Sequence, residues 1–534
     1  MFVRFGLLGF GVSSGASLRA QSPLTGLFAG DAGSPPAIVA GRAVNAVSGA
    51  PLPRALVEIN GHAMLTDGEG RFRFEEPGTQ ASALRLRKPG FLTTPEMEGD
   101  GALRTGTADA LTVMLWPEAV LVGTVTAPDG DVLARVAVVA RRSAFDEQGR
   151  HFQVAGQSQT DSHGQFRIAV PAGDYVLETQ FSPRAFEREE AVLPYTFPPA
   201  STGKAEDVFH VASGEERRID LRPVVGKTHV VTIPVEGDDG QPPRITARWS
   251  GGATFSANGF RAQQPGSVRL NLPSGSYSLR ATRFSRDGME FGQSEVTVAD
   301  HDVTGPPFHL ASSPSVPVDV VSDATNLQTQ GPSTAGRVTA GTPSFMQFNL
   351  VLEPTEVDLT SPFQIGVRPT QGRDGSVSFS APPGAYRLYA GLVSGWYVRS
   401  ATSRGSDLIR EPLVISSGSS PSPITLVVSN QTGSVQGTVS LGGAPAACWV
   451  YLIASTPTLP QVIVRRSYSN GSFRIADLPP GSYRAVAFPY QHSADFEDPA
   501  VLGQFSTHVG GFSVTSGSTA NLNLEAVTLQ EMPR

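Results

Sequence analysis

Two linked phrases decide the fold: Asp161-Ser-His-Gly164-Gln-Phe166-Arg-Ile168, then Pro171-Ala-Gly173-Asp-Tyr175-Val-Leu177. In the first, a glycine supplies the positive φ of a tight turn and the Asp side chain caps it. Phe166 and Ile168 then fall two residues apart, the period that sends side chains to one face of a strand. In the second, a Pro/Gly turn delivers Tyr175 into another strand. The pair recurs as Pro265-Gly266-Ser-Val268-Arg-Leu270 with Pro273-Ser-Gly275-Ser-Tyr277, and as Asp374-Gly375-Ser-Val377-Ser-Phe379 with Pro383-Gly384-Ala-Tyr386. It appears again as Asn470-Gly471-Ser-Phe473-Arg-Ile475 with Pro480-Gly481-Ser-Tyr483. A degenerate copy comes first, Asp67-Gly-Glu-Gly70-Arg-Phe72-Arg-Phe74 with Pro77-Gly78 and no Tyr. Copies lie about 95–109 residues apart, the size of one small β-sandwich.

Each unit opens on a strand such as Val39-Ala-Gly41, Val122-Gly123-Thr-Val125 or Val435-Gln-Gly437-Thr-Val439. Each closes on a turn and an alternating strand, as in Ser213-Gly214 before Ile219-Asp-Leu221 and Ser516-Gly517 before Leu522-Asn-Leu524. The expectation is an all-β chain, a tandem array of about five prealbumin-like or Ig-like β-sandwiches over 36–116, 118–224, 226–312, 313–428 and 430–529. The core is expected to hold Phe72, Phe166, Phe473, Tyr175, Tyr277, Tyr386 and Tyr483. The weak helical period from Ser182 to Val192 is an exception to the strand pattern. A length of 534 residues suits five cores and not one. The 57 Gly and 43 Pro residues fit a turn-dense β protein, and 40% hydrophobic residues suffice for real cores.

The turn and strand phrases together resemble the carboxypeptidase regulatory-like domain, a β-sandwich of prealbumin-like, carbohydrate-binding-like fold. The first unit carries the resemblance through Gly41-Arg-Ala-Val44, Gly49-Ala-Pro51-Leu52-Pro-Arg-Ala55, Leu65-Thr-Asp67 and Lys88-Pro-Gly90-Phe91. The fifth carries it through Gly437-Thr-Val439 and Leu478-Pro-Pro-Gly481-Ser-Tyr483. The second shares Gly123-Thr-Val125 and the Tyr175 phrase, whereas the third and fourth keep only the turn-and-Tyr pattern. The resemblance implies a bacterial accessory module without catalytic residues. Such modules stand beside zinc carboxypeptidases or ahead of outer-membrane transporter barrels, and the fold is grouped with carbohydrate binders.

Chemistry-bearing motifs are sparse. None of the nine histidines has a Glu three residues later or a second His within four, so zinc-peptidase spacing is missing. Gly11-Val-Ser13-Ser-Gly15 lacks the strand–turn–helix setting of a nucleophile elbow. Asp67-Gly-Glu69-Gly and Asp238-Asp239-Gly240 read as hairpin turns and not calcium loops. The single cysteine, Cys448, lies in an apolar run and excludes an intrachain disulfide. A net charge of −7 with scattered Arg and three Lys gives no nucleic-acid footprint. No catalytic residue, metal ligand or cofactor is expected.

The remaining ligand candidates are loop aromatics: Trp396, Tyr397, Tyr195, Phe197 and Tyr490. An aromatic ring stacks on the apolar face of a sugar while neighbouring polar groups orient it. Residues 1–20 read as a signal peptide, with Arg4, an apolar stretch and Ala20 before Gln21. They place the chain outside the cytoplasm, secreted, periplasmic or at the cell surface. No run reaches the ~18 apolar residues of a spanning helix. The sequence thus points to an exported, non-catalytic scaffold at the cell envelope that binds polysaccharide or an envelope protein. Its alternatives are a structural spacer or adhesin stalk without a small ligand, and an accessory region of carboxypeptidase or transporter systems.

Overall fold

The computed structural model describes residues 37–528 except 60, 77–82, 93–96, 99–110, 148, 184–189, 200–207, 237–241, 251–253, 258–259, 262–265, 286–287, 324–347, 356–365, 373–374, 417–420, 469, 493 and 497. The expected signal segment and the Asp238-Asp239-Gly240 turn lie outside the described residues.

One wiring rule repeats five times. The opening strand of each unit pairs antiparallel with the strand that follows the polar-Gly turn, and parallel with the closing strand. In the first unit Ala37–Asn45 lies between Arg71–Glu76 and Leu111–Leu115. In the second, Ala119–Thr124 lies between Gln165–Val170 and Glu216–Arg218. In the third, Val225–Glu236 takes Ser267–Pro273 on one side and the short strands Val303–Thr304 and Phe308–His309 on the other. Ser315–Ser322 lies between Val377–Ser380 and Ile424–Ser429 in the fourth, and Gly433–Leu441 between Ser472–Leu478 and Thr519–Glu525 in the fifth. The third and fourth units, whose sequences keep least of the pattern, therefore share the wiring of the others.

The Tyr-bearing strand crosses to the facing sheet. Gly173–Thr179 pairs with Ala137–Asp146, Gly275–Ser285 with Arg244–Trp249, Gly384–Tyr389 with Val351–Pro354, and Gly481–Phe488 with Trp449–Ala454. Two facing sheets, one mixed and one antiparallel, with inward alternate residues make a β-sandwich, and the protein is a tandem array of five.

Where the repeated residues are described, they do the same physical work from copy to copy. Asp161 Oδ1 accepts the backbone N–H groups of His163 and Gln165, both at 2.8 Å, which closes the turn and lowers the carboxyl pKa. Asn470 does likewise for Ser472. Each Tyr hydroxyl donates to the carbonyl four residues back: Tyr175 to Pro171 and Tyr483 to Pro479 at 2.6 Å, Tyr277 to Pro273 and Tyr386 to Pro382 at 2.8 Å. The ring then fills the core while its polar tip is satisfied at the corner. All seven core aromatics named from the sequence are at most 5% exposed. The strand glycines have a separate cause: a Cβ at Gly123 would sit 1.8 Å from the Ile219 carbonyl, and one at Gly437 would sit 1.6 Å from that of Leu522. Only glycine lets the parallel closing strand approach so near.

The ends of the Ser182–Val192 segment form strands and not a helix. Glu190–Val192 pairs antiparallel with Val225, Gly226 and Lys227, the first residues of the third unit. Leu193 enters that unit's core, and Phe181 stacks on Phe255 at 4.5 Å. Tertiary pairing overrode a weak local period, and the second sandwich lends its neighbour a strand. The α-helix found among the described residues, Pro499–Gly503, carries the start signals of Asp498 at the cap and Pro at the first turn.

Candidate functional site

The five loop aromatics occupy three settings. Trp396 closes a turn by donating its N–H to the Val393 carbonyl at 2.9 Å, and its half-buried ring packs on the core of the fourth sandwich. Tyr397, 8% exposed, begins the strand Tyr397–Ser403. Tyr195 and Phe197 belong to the strand Tyr195–Phe197, which pairs with the Tyr175 strand, and both half-buried rings pack on the core of the second sandwich. The Phe197 ring lies 5.7 Å from that of Phe209. Tyr490 sits elsewhere, where the second and fifth sandwiches meet; its ring lies under the Arg142 guanidinium at 5.7 Å, and burial pushes its hydroxyl up to about 12.

That meeting place is the most elaborate feature of the molecule. The outer face of the Trp449–Ala454 and Gly481–Phe488 strands is covered by the segment that follows them. The result is a second core of Tyr451, Phe488, Phe496, Leu502 and Phe505. Into it the second sandwich inserts Phe145, whose ring meets Phe496 edge-on at 6.1 Å. Phe145 N–H donates to the His492 carbonyl at 3.1 Å, and Arg142 Nη2 donates to the Gln491 carbonyl at 2.5 Å. Glu147 forms an ion pair with Arg465 and also accepts the Val464 N–H. A buried pair, Arg141 with Glu178 at 2.7 Å, stiffens the sheet behind this contact.

Other joints reinforce it. The fourth and fifth sandwiches are tied by Gly395 N–H donating to Asp477 Oδ1 at 2.8 Å and by Leu459, which enters the core of the fourth. Met114 of the first sandwich packs on the core of the fifth. Glu353 of the fourth faces Asp146 and His151 of the second, and burial pushes its carboxyl up to about 7, with Asp146 adding to the shift and His151 opposing it.

Sequence reasoning passed over this junction because its residues follow no period of two. The signal available was the unbroken apolar run Trp449-Val-Tyr-Leu-Ile453, the mark of a strand covered on both faces.

Groups that could do chemistry are engaged structurally. Cys448 is buried and its thiol is pushed up to about 12 by desolvation, the opposite of a reactive thiolate. His210 and Asp174 pair at 3.0 Å, and His309 and Glu236 at 2.7 Å. Among the described residues no three His, Cys, Asp or Glu side chains come together as a metal site. Asp161, Ser162 and His163 are consecutive in one exposed turn, but the carboxylate is spent on backbone N–H groups and does not orient the imidazole. Among the same residues no helix is long and apolar enough to cross a membrane.

No family model matches the chain, and no curated protein matches it. Among solved structures, the Bacillus anthracis TIE protein is 10% identical over 80% of this chain and 76% of its own, with a TM-score of 0.15. The full-length RrgB pilus protein of Streptococcus pneumoniae is 9% identical over 78% of this chain and 98% of its own, TM-score 0.15. BcpA, the major pilin subunit of Bacillus cereus, is 9% identical over 76% and 99%, TM-score 0.13. Scores this low mean that the molecules do not superpose as wholes.

Proposed function

We propose that the chain is a non-catalytic structural protein of the cell exterior: a stiff β-sandwich array that spaces or presents protein partners and has no dedicated small-molecule site. One observation carries the reading, namely the shared core between the second and fifth sandwiches. A chain of independent binding modules needs only short flexible joints. Here Phe145, Arg142 and Glu147 are instead invested in fixing two non-consecutive units together. Buried interfaces of this kind restrict domain motion, the property a spacer requires.

Export through the segment 1–20, the five unit boundaries given by the repeats, and the assignment of the first and fifth units to carboxypeptidase regulatory-like domains belong to the same proposal. Carbohydrate binding is its second reading. It draws support from the half-exposed rings of Trp396, Tyr195 and Phe197, but each of these rings also packs on a sandwich core. Glycan-array binding by the purified chain, with X-ray scattering at neutral pH, tests both readings. A stiff spacer gives one compact scattering envelope and no glycan signal. Saturable glycan binding that is lost in Trp396→Ala or Tyr195→Ala would install the second reading in its place. An extended, flexible envelope would sink the first.

A further inference from the structure

We propose that the segment around His492 is an acid-released clasp: protonation of this one imidazole unfastens the fifth sandwich from the second. The inference rests on the reading above, of a stiff array held by the shared core of the second and fifth sandwiches, and adds its regulation.

The geometry favours the neutral ring. The half-buried imidazole packs against Phe488, Phe496 and Phe505, with centroids at 4.6, 5.8 and 5.5 Å. Nδ1 accepts the Ala494 N–H at 2.9 Å, which requires a lone pair there and puts the ring proton on Nε2. The backbone of the same residue is the fastener. Its N–H donates to the Tyr451 hydroxyl at 2.8 Å, and its carbonyl accepts the Phe145 N–H from the second sandwich. A proton added at Nδ1 would point at the Ala494 N–H, turning an acceptor into a second donor inside an aromatic core. Repelling that geometry means moving the loop, and the loop carries both the Phe145 and the Arg142 contacts.

The charges facing the ring come from four strands of the second sandwich. Arg142 stands on Ala137–Asp146, Arg150 on Gly149–Gln159, Asp174 on Gly173–Thr179 and His210 on Phe209–Val211. The fifth sandwich adds the neutral phenols Tyr451 and Tyr490. Asp174 is the one anion among them and is already paired with His210; the two guanidiniums oppose a third positive charge. Burial is the largest cause, and it pushes the imidazole down from its ordinary 6.5 to about 4. A ring freed from the clasp regains the ordinary value. Closure is therefore at full strength above pH 6.5, weakens as pH falls, and below pH 4 is looser by on the order of 100-fold.

The experiment uses the full chain. X-ray scattering from pH 7.5 to 3.5 is paired with a carbon-13 histidine NMR titration of the wild type, and the scattering is repeated for His492→Phe, which keeps the ring and removes the titration. We expect the wild type to expand below about pH 5 as the His492 resonance titrates, and the variant to stay compact to a lower pH. Expansion of both proteins at the same pH would overturn the clasp. So would a His492 resonance that titrates near 6.5, or one that is fully protonated while the dimensions hold; these two outcomes need only the wild type and survive a variant that fails to fold. A chain already extended at pH 7.5 would defeat the stiff-array reading itself, whereas one compact at every pH defeats only the clasp.

Discussion

Phe166 shows how much one position in the repeat carries. Its ring is buried in the second sandwich, on a strand whose alternate residues Phe166, Ile168 and Val170 all face inward. Phe166→Ala removes most of the side chain and leaves a cavity that β-sheet neighbours fill poorly. The expected loss is about 3–5 kcal/mol in the unfolding transition of that sandwich, measured by denaturant titration. A loss below about 1 kcal/mol would mean that the residue is not core. The corner tyrosines work differently: the ring is core, and the hydroxyl bond to the carbonyl four residues back pins the Pro/Gly turn. That bond explains why Tyr, and not Phe, stands at 175, 277, 386 and 483.

At the scale of elements, the joint between the fourth and second sandwiches makes a pH-dependent contribution. Glu353 lies on the strand Val351–Pro354 against the ends of Ala137–Asp146 and Gly149–Gln159, and its folded pKa is raised to about 7. An acid whose folded pKa is raised penalises the folded state when ionised. Stability from this site is therefore greatest below the ordinary carboxylate range and is lost as pH rises from about 4.5 through 7. Glu353→Gln should raise the melting temperature at pH 8 and change it little at pH 4.5, as followed by scanning calorimetry. Equal shifts at both pH values would mean that packing and not ionisation governs the site. The direction is opposite to that of His492, so between pH 6.5 and 4.5 one joint tightens while the other loosens.

For the whole molecule, the second core predicts that distant units share stability. Phe145 belongs to the second sandwich but is buried among residues of the fifth. Phe145→Ala should raise amide hydrogen exchange in the segment between Phe488 and Val509 by tenfold or more, while the Ala137–Asp146 strand keeps its protection. A local effect confined to the second sandwich would show that the two units do not lean on each other. Loss of a buried aromatic at such a contact costs several kcal/mol, so even a partial effect is readable.

The sequence by itself determined what is local. Turn chemistry, the period of two and the spacing of the Asp/Asn-Gly and Gly-x-Tyr phrases specified five sandwiches and seven buried aromatics, because hairpin geometry and strand alternation act over a few residues. It also held a half-legible hint of more: Ala137–Asp146 and Trp449–Ala454 are apolar or buried on both faces, so something had to cover their outer sides. What covers them was not legible. A strand can specify that a face must be buried, but the partner is chosen by the packing of units some 300 residues apart, with no sequence period linking them. The same limit governed the Ser182–Val192 segment, whose strand exists only because the opening strand of the next unit is there to bond it. It also governed Tyr490 and His492, aromatic and imidazole side chains whose roles follow from a neighbour that only the tertiary structure brings to them.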